Sequence, residues 1–382
     1  MRYTPSLVLS LALSGITLLL GISAACASSL PASAATGSPA ASPEEMAPYH
    51  ARFNRDRPVI AIAAENSGTE LVDFVVPYGV LARSGIAEVI AVATREGAVT
   101  MRPALQIQPQ ATIAQFDARY PEGADYVIVP AVVKRKDPAL LGWIKAQADK
   151  GSIMVSICDG VMVLAEAGLL QDRRATGHWA SESMRRDMYR QTQWVNNTRY
   201  VVDGPVASSA GISAAQPMAL AIVAAIAGHE VAATVAAGLG AEDWSAAHDS
   251  DQFANRHGAI LDALVALQLK NRLFHSTQRL GIEVAPGVDE IALALMADAY
   301  SRTGRSQVFV LSETPVLTQH GLTILPARVG GVAPRVDIIL PAFDATPPAH
   351  VLDHVLAGIA TRYGRTTADD VASAFEYQGF QR

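Results

Sequence analysis

Cys158 stands at the corner of a segment built to turn a strand straight into a helix. Residues 153–157 are a short apolar run, Cys158-Asp159-Gly160 supplies small residues for a sharp turn, and 161 to about 170 has helical spacing. A nucleophile on such a corner projects from the tip of a sheet, and a sulfur at the positive end of a helix is favoured as thiolate. His178 lies 20 residues further on and is the nearest candidate base. The same residues also fit a buried, inert cysteine that closes a tight turn as a small apolar side chain.

The thiol is the only one in the body of the chain. Of 382 residues two are cysteines, and the other, Cys26, falls in an N-terminal run, SLVLSLALSGITLLLGISAAC, that follows Arg2 and precedes Ala, Ser and Pro. That shape is an export signal, so the expected location is periplasmic, membrane-anchored facing the periplasm, or secreted. Cleavage is expected near Ala32-Ser33-Ala34, with lipidation at Cys26 as the alternative. An uncleaved membrane anchor is a third option, because the run approaches the ~20 residues a span needs. Residues 1–27 therefore read as the signal and 28–56, rich in Ala, Ser and Pro, as a flexible linker. The whole chain is 50% hydrophobic and 17% charged, with a net charge of −6 and no long basic run. Large cores can form, two domains fit, and nucleic acid is excluded as a main partner.

The elements that must position Cys158 alternate in type. Apolar strands are expected at 57–66, 88–94 and 124–131, with helices at 67–85, 111–119 and 138–151 and a hairpin at 99–109. After the elbow come two strands turning at Asp203-Gly204 and helices at 212–228 and 230–239. The pattern predicts an α/β fold, a parallel sheet flanked by helices in a flavodoxin-like sandwich, with ligands beyond the carboxyl ends of the strands. A repeat follows a connecting helical segment at 231–280. Residues 67–85 align without gaps on 286–304; 88–94 matches 307–313, 104–109 matches 321–326, 124–131 matches 335–342, and 138–151 resembles 348–364. The copy, 281–382, has no elbow strand and no cysteine, and reads as truncated scaffold, lid or dimer surface.

With these surroundings, SICDGVMVLAEAGLLQDRRATGHW resembles the ThiJ/PfpI superfamily, within the class I glutamine-amidotransferase-like fold. The variant it is most similar to is the front domain of AraC-type regulators, together with isocyanide hydratases; no DNA-binding region is expected. The resemblance covers 57–230 and implies Cys158 as nucleophile, His178 as the histidine after the elbow helix, and Asp73 as the acid beside the sulfur. It implies a Ser/Ala-Gly loop at Ser208 to Gly211, with Ser209 and Gly211 lining the pocket. Backbone N–H groups of Asp159 and Gly160 would hold an oxyanion, with Ala131 facing them. The family's third strand commonly ends Pro-Gly-Gly, whereas here it ends Pro130-Ala131-Val132, and Asp159 replaces a small or neutral residue.

Two functions follow. One is a cysteine-nucleophile hydrolase or hydratase acting on a small electrophile. The other is a non-catalytic small-ligand-binding or sensing module. No cofactor and no metal is expected, and the resemblance with the spare sheet edge implies a homodimer. DWSAAHDSDQF (243–253) reads as a polar helix start rather than a cap over the pocket. His229, His257, His275 and His320 read as surface, and the arginines of RRATGHWASESMRR as solvated charge.

Overall fold

The computed structural model describes residues 44–253, 276–328, 330–341 and 346–380. The signal residues 1–27, Cys26 among them, and His257 and His275 lie outside these residues.

In the first half the elements are β1 (Val59–Ala64), α1 (Leu71–Ser84), β2 (Glu88–Ala93), β3 (Val99–Arg102), β4 (Gln106–Gln108), β5 (Ala111–Thr112) and α2 (Ile113–Arg119). Then come β6 (Tyr126–Val129), α3 (Pro138–Asp149), β7 (Ile153–Ser156), α4 (Gly160–Glu166), α5 (Glu182–Met188), β8 (Tyr200–Asp203), β9 (Val206–Ser209), α6 (Ala215–Ala227) and α7 (His229–Leu239). The sheet runs β8-β9-β7-β6-β1-β2-β5, parallel except for the β8–β9 hairpin at one edge. β1 is VIAIAA, buried at every position, because helices cover both faces. Phe74 and Tyr78 of α1 and Met218 and Ile222 of α6 fill one face. Trp143 and Ile144 of α3 and Val163 of α4 fill the other. This is the expected α/β sandwich.

In the second half are β10 (Gln278–Glu283), α8 (Glu290–Arg302), β11 (Ser306–Leu311), β12 (Val316–Leu317), β13 (Thr323–Ile324), β14 (Ile338–Ile339), α9 (Pro348–Tyr363) and α10 (Arg365–Ala374). β11-β10-β14 form a small parallel sheet, while β12-β13-β4-β3 join the two halves in an antiparallel one. α8 lies against α1 at Gly79, where an added Cβ would come within 2.6 Å of Ile291. The described residues of Pro43–Arg382 cluster as one compact unit.

Three expectations change. Residues 44–56 are laid against the domain instead of forming free linker. The Tyr49 N–H donates to Ala225 O at 2.8 Å, and Arg55 pairs with the buried Asp125 at 2.8 Å. α4 stops at Glu166, short of 170, in a turn that Gly168 closes at φ 77. Finally, α9, matched by sequence to α3, packs on the other side. Val351, Leu352 and Val355 share the core with α8 and α1, whereas α3 lies across the sheet.

Candidate active site

β7 delivers Cys158 to the carboxyl end of the sheet and α4 leaves directly after it. Cys158 has φ 55, in the left-handed region that costs a side-chain-bearing residue about 1 kcal/mol. The turn is held on both sides: Ile157 N–H donates to Val129 O at 3.0 Å and Gly160 N–H to Ile157 O at 2.9 Å. Gly160 is required, since a Cβ there would overlap the Val129 carbonyl oxygen. A strand, a left-handed corner at Cys158 and a helix thus follow one another directly.

The sulfur, however, is enclosed. Cys158 is 6% exposed. Burial pushes its thiol well above the ordinary range, and the negative charges of Asp73, Asp159 and Glu70 push it further, against the pull of the Asp159 N–H. Asp73 sits in the first turn of α1, fully buried. Its Oδ2 accepts the Ala131 N–H at 3.2 Å, and its Oδ1 has no partner among the described residues. Burial pushes this carboxyl well above the usual range, opposed by the Ala131 N–H and by Arg302. Burial thus favours the protonated form of both groups.

That preference has a checkable consequence. Asp73→Asn keeps an acceptor for Ala131 and is expected to change stability at pH 7 by less than about 1 kcal/mol. Because the folded carboxyl holds its proton more tightly than the unfolded one, its contribution is full below about pH 3.9 and is lost as pH rises through the folded value. Asp73→Asn should therefore flatten the decline of stability with rising pH. Urea unfolding at pH 5, 7 and 9 reads this, and a loss above about 2 kcal/mol at pH 7 would mean the carboxylate is ionised and needed.

The other expected residues are placed close by but engaged elsewhere. The Gly160 N–H is spent on Ile157 O and the Ala131 N–H on Asp73. The Asp159 N–H faces the sulfur, and its carboxylate turns to Ser181 Oγ, with Arg185 at 3.9 Å. His178 Nδ1 accepts the Ala180 N–H at 3.2 Å, capping the turn Trp179–Ser181, and Nε2 faces Ala374 O at 3.0 Å. An imidazole with its proton on Nε2 meets both partners, so neither nitrogen is left for the thiol. Ser209 is fully buried, and a Cβ on Gly211 would lie 2.6 Å from Glu376. The space in front of the expected pocket loop is thus filled.

Glu376 and Arg302 went unseen in the sequence. Glu376, just past α10, has φ 53. Its Oε1 accepts the Trp179 N–H at 2.7 Å and its Oε2 meets His248 Nε2 at 3.1 Å. Burial would raise its carboxyl, but His248, His178 and the Trp179 N–H outweigh it and hold it below the ordinary range. His248, read as part of a polar helix start, is thus a partner at the edge of the site, with a 3% exposed side chain. Arg185, read as solvated, is 2% exposed and binds the carbonyls of Gly177 and His178. His320, read as surface, meets the buried Glu290 at 2.5 Å. Arg302 joins Glu70 and Asp298 behind Asp73. Beside the strap formed by 373–377, a groove of about 380 Å³ is lined by Val72, Val76, Ile212, Arg199, His248 and Glu376.

The sequence pattern of the DJ-1/PfpI family matches residues 58–225. The isonitrile hydratase of Pseudomonas putida is 30% identical over 168 residues, 43% of this chain and 70% of that protein. The chain belongs to the DJ-1/PfpI family. The HTH-type transcriptional regulator CdhR of Pseudomonas aeruginosa is 37% identical over 98 residues, 26% of this chain; the match spans 29% of the regulator's length. Among solved structures, Drosophila melanogaster DJ-1beta is similar at a TM-score of 0.45 and 23% identity, over 49% of this chain and 100% of that one.

Proposed function

We propose that this DJ-1/PfpI-family chain is an exported small-ligand-binding or sensing module, whose elbow cysteine is not a working nucleophile in the conformation described. One observation carries this: the Cys158 thiol is buried and pushed well above its ordinary range, while both nitrogens of the expected base, His178, are bound to other groups. A nucleophilic cysteine needs a thiolate or a base within reach. The groove beside the strap is of a size for a small molecule, with an apolar floor at Val72 and Val76 and polar groups at Arg199 and His248. The His248 Nδ1, buried and unpartnered among the described residues, is available to such a ligand. A relative named as a transcriptional regulator fits this reading. Export is supported by the apolar N-terminal run.

The second reading, a hydratase or hydrolase, is favoured by the strained Cys158 backbone, by the buried Asp73 near it, whose carboxyl burial pushes up, and by a relative named isonitrile hydratase. A screen of isonitriles, small amides and α-oxoaldehydes, read by thermal shift and by turnover, separates the two. Binding that shifts Tm equally in wild type and Cys158→Ser, without turnover, is expected. Turnover by wild type that Cys158→Ser abolishes would overturn the binding reading.

A further inference from the structure

The two halves repeat in pairing register, and the contacts between them are reciprocal. β1 pairs β2 with Val59 opposite Glu88 and Ile60 opposite Val89, as β10 pairs β11 with Arg279 opposite Gln307 and Leu280 opposite Val308. β6 joins β1 with Ile60 opposite Tyr126, as β14 joins β10 with Leu280 opposite Ile338. The acid that pins the first strand recurs. Asp125 Oδ2 accepts the Val59 N–H at 2.8 Å, and Asp337 Oδ2 accepts the Arg279 N–H at 2.7 Å. This register shifts the 124–131 alignment by one residue. The pair α6-Gly228-α7 has its counterpart in α9-Gly364-α10, with the two glycines at φ 90 and φ 92. α9 therefore corresponds to α6, and the copy omits everything from α3 to β9, the elbow included.

These correspondences say which contact should mirror which. Arg83 of α1 pairs with Asp289, and Arg302 of α8 pairs with Glu70; both pairs of counterparts are 219 residues apart. β4 and β13 run antiparallel with Ile107 opposite Ile324, its own counterpart, and Gln108 opposite Thr323. The hairpins behind them match, Val99 opposite Ile107 and Val316 opposite Ile324. A Cβ on Gly240 would lie 2.8 Å from Pro347, and one on Gly211 would lie 2.6 Å from Glu376, the counterparts here being 136 apart. A residue facing its own counterpart, flanked by reciprocal contacts, is what a two-fold axis produces in a symmetric dimer.

We propose that residues 278–380 are a built-in second subunit, related to the first by a pseudo-two-fold axis and occupying in cis the face through which two copies would otherwise pair. Arg302 and Glu376 then reach the Cys158 end of the first unit from across the axis, and Arg83 reaches the equivalent end of the second. That equivalent place is a cleft of about 610 Å³ lined by Arg83, Asp289 and Ala292, with Ala292 at the position of Asp73 and no elbow to fill it. The molecule has a dimer's interface and one cysteine site. The proposal stands whether or not that site turns over.

Cross-linking tests it on the full chain carrying Cys26→Ser and Cys158→Ser. Gln108→Cys with Thr323→Cys, oxidised over a hundredfold range of protein concentration, should close within one chain and migrate as a monomer. Ile107→Cys alone, which a true dimer would place against itself, should give no covalent dimer. Wild type should sediment with the mass of one chain throughout. Covalent dimers from either variant, or a wild-type mass of two chains, would overturn the proposal.

Discussion

Iodoacetamide is expected to label Cys158 in the folded chain on the order of 100-fold more slowly than in the urea-unfolded chain at pH 8, with the rate still climbing above pH 9. Two effects multiply. The thiolate is the reacting form, and burial with Asp73, Asp159 and Glu70 nearby holds the thiol well above the ~8.5 of a free cysteine. The reagent must also reach a sulfur that is 6% exposed, which requires a local opening of the strap or elbow. The same shift carries a stability sign. The folded thiol binds its proton more tightly than the unfolded one, so its contribution is full below about pH 8.5 and is lost as pH rises through the folded value. A labelling midpoint below about pH 7, with a rate near that of the unfolded chain, would return the catalytic reading to first place.

The elbow was legible because its requirements are local. An apolar strand, a small-residue corner and a glycine that must clear the Val129 carbonyl all lie within a few residues of Cys158. The sheet was legible for the same reason, since runs such as VIAIAA allow only a strand covered on both faces. What the site does was not. The 20-residue spacing of His178 from Cys158 brings the ring near the elbow but does not say that Ala180 and Ala374 will take its nitrogens. Arg302 and Glu376 reach the site from more than 140 residues beyond Cys158, through packing that no local pattern encodes. The α9 mismatch has a similar cause. A helix opening Pro-Ala with spaced apolar residues fits either face of the sheet, and only the core it joins distinguishes α3 from α6. Arg185 read as surface because four arginines stand near one another in sequence, yet the unfilled carbonyls of Gly177 and His178 draw one of them inside.

Glu376 offers the sharpest test of the strap. It holds the position that Gly240 holds after α7: Tyr377 N–H donates to Ala372 O at 2.9 Å as Ala241 N–H donates to Ala236 O at 2.9 Å. Gly240 adopts φ 75 without side-chain strain, whereas Glu376 adopts φ 53 with it. Glu376→Gly should therefore regain about 1 kcal/mol of backbone strain while losing the Trp179 and His248 contacts of a fully buried carboxylate. Removing one partner of a buried pair costs about 3–5 kcal/mol, so the net loss should be about 2–4 kcal/mol, and Glu376→Ala, which keeps the strain, should lose about 1 kcal/mol more. Urea unfolding at pH 7 ranks them as wild type, then Gly, then Ala, and Cys158 should label faster in the same order. The pH dependence runs opposite to that of the thiol. The folded Glu376 carboxyl lies below its unfolded value, so its contribution is present above about pH 4.3 and is lost as pH falls through the folded value. Glu376→Gln should flatten that acid limb. If instead Glu376→Gly were more stable than wild type, the carboxylate contacts would be worth less than the strain they impose. The strap would then be a resting tail and not a latch, and the closed state of the cysteine site would need another cause.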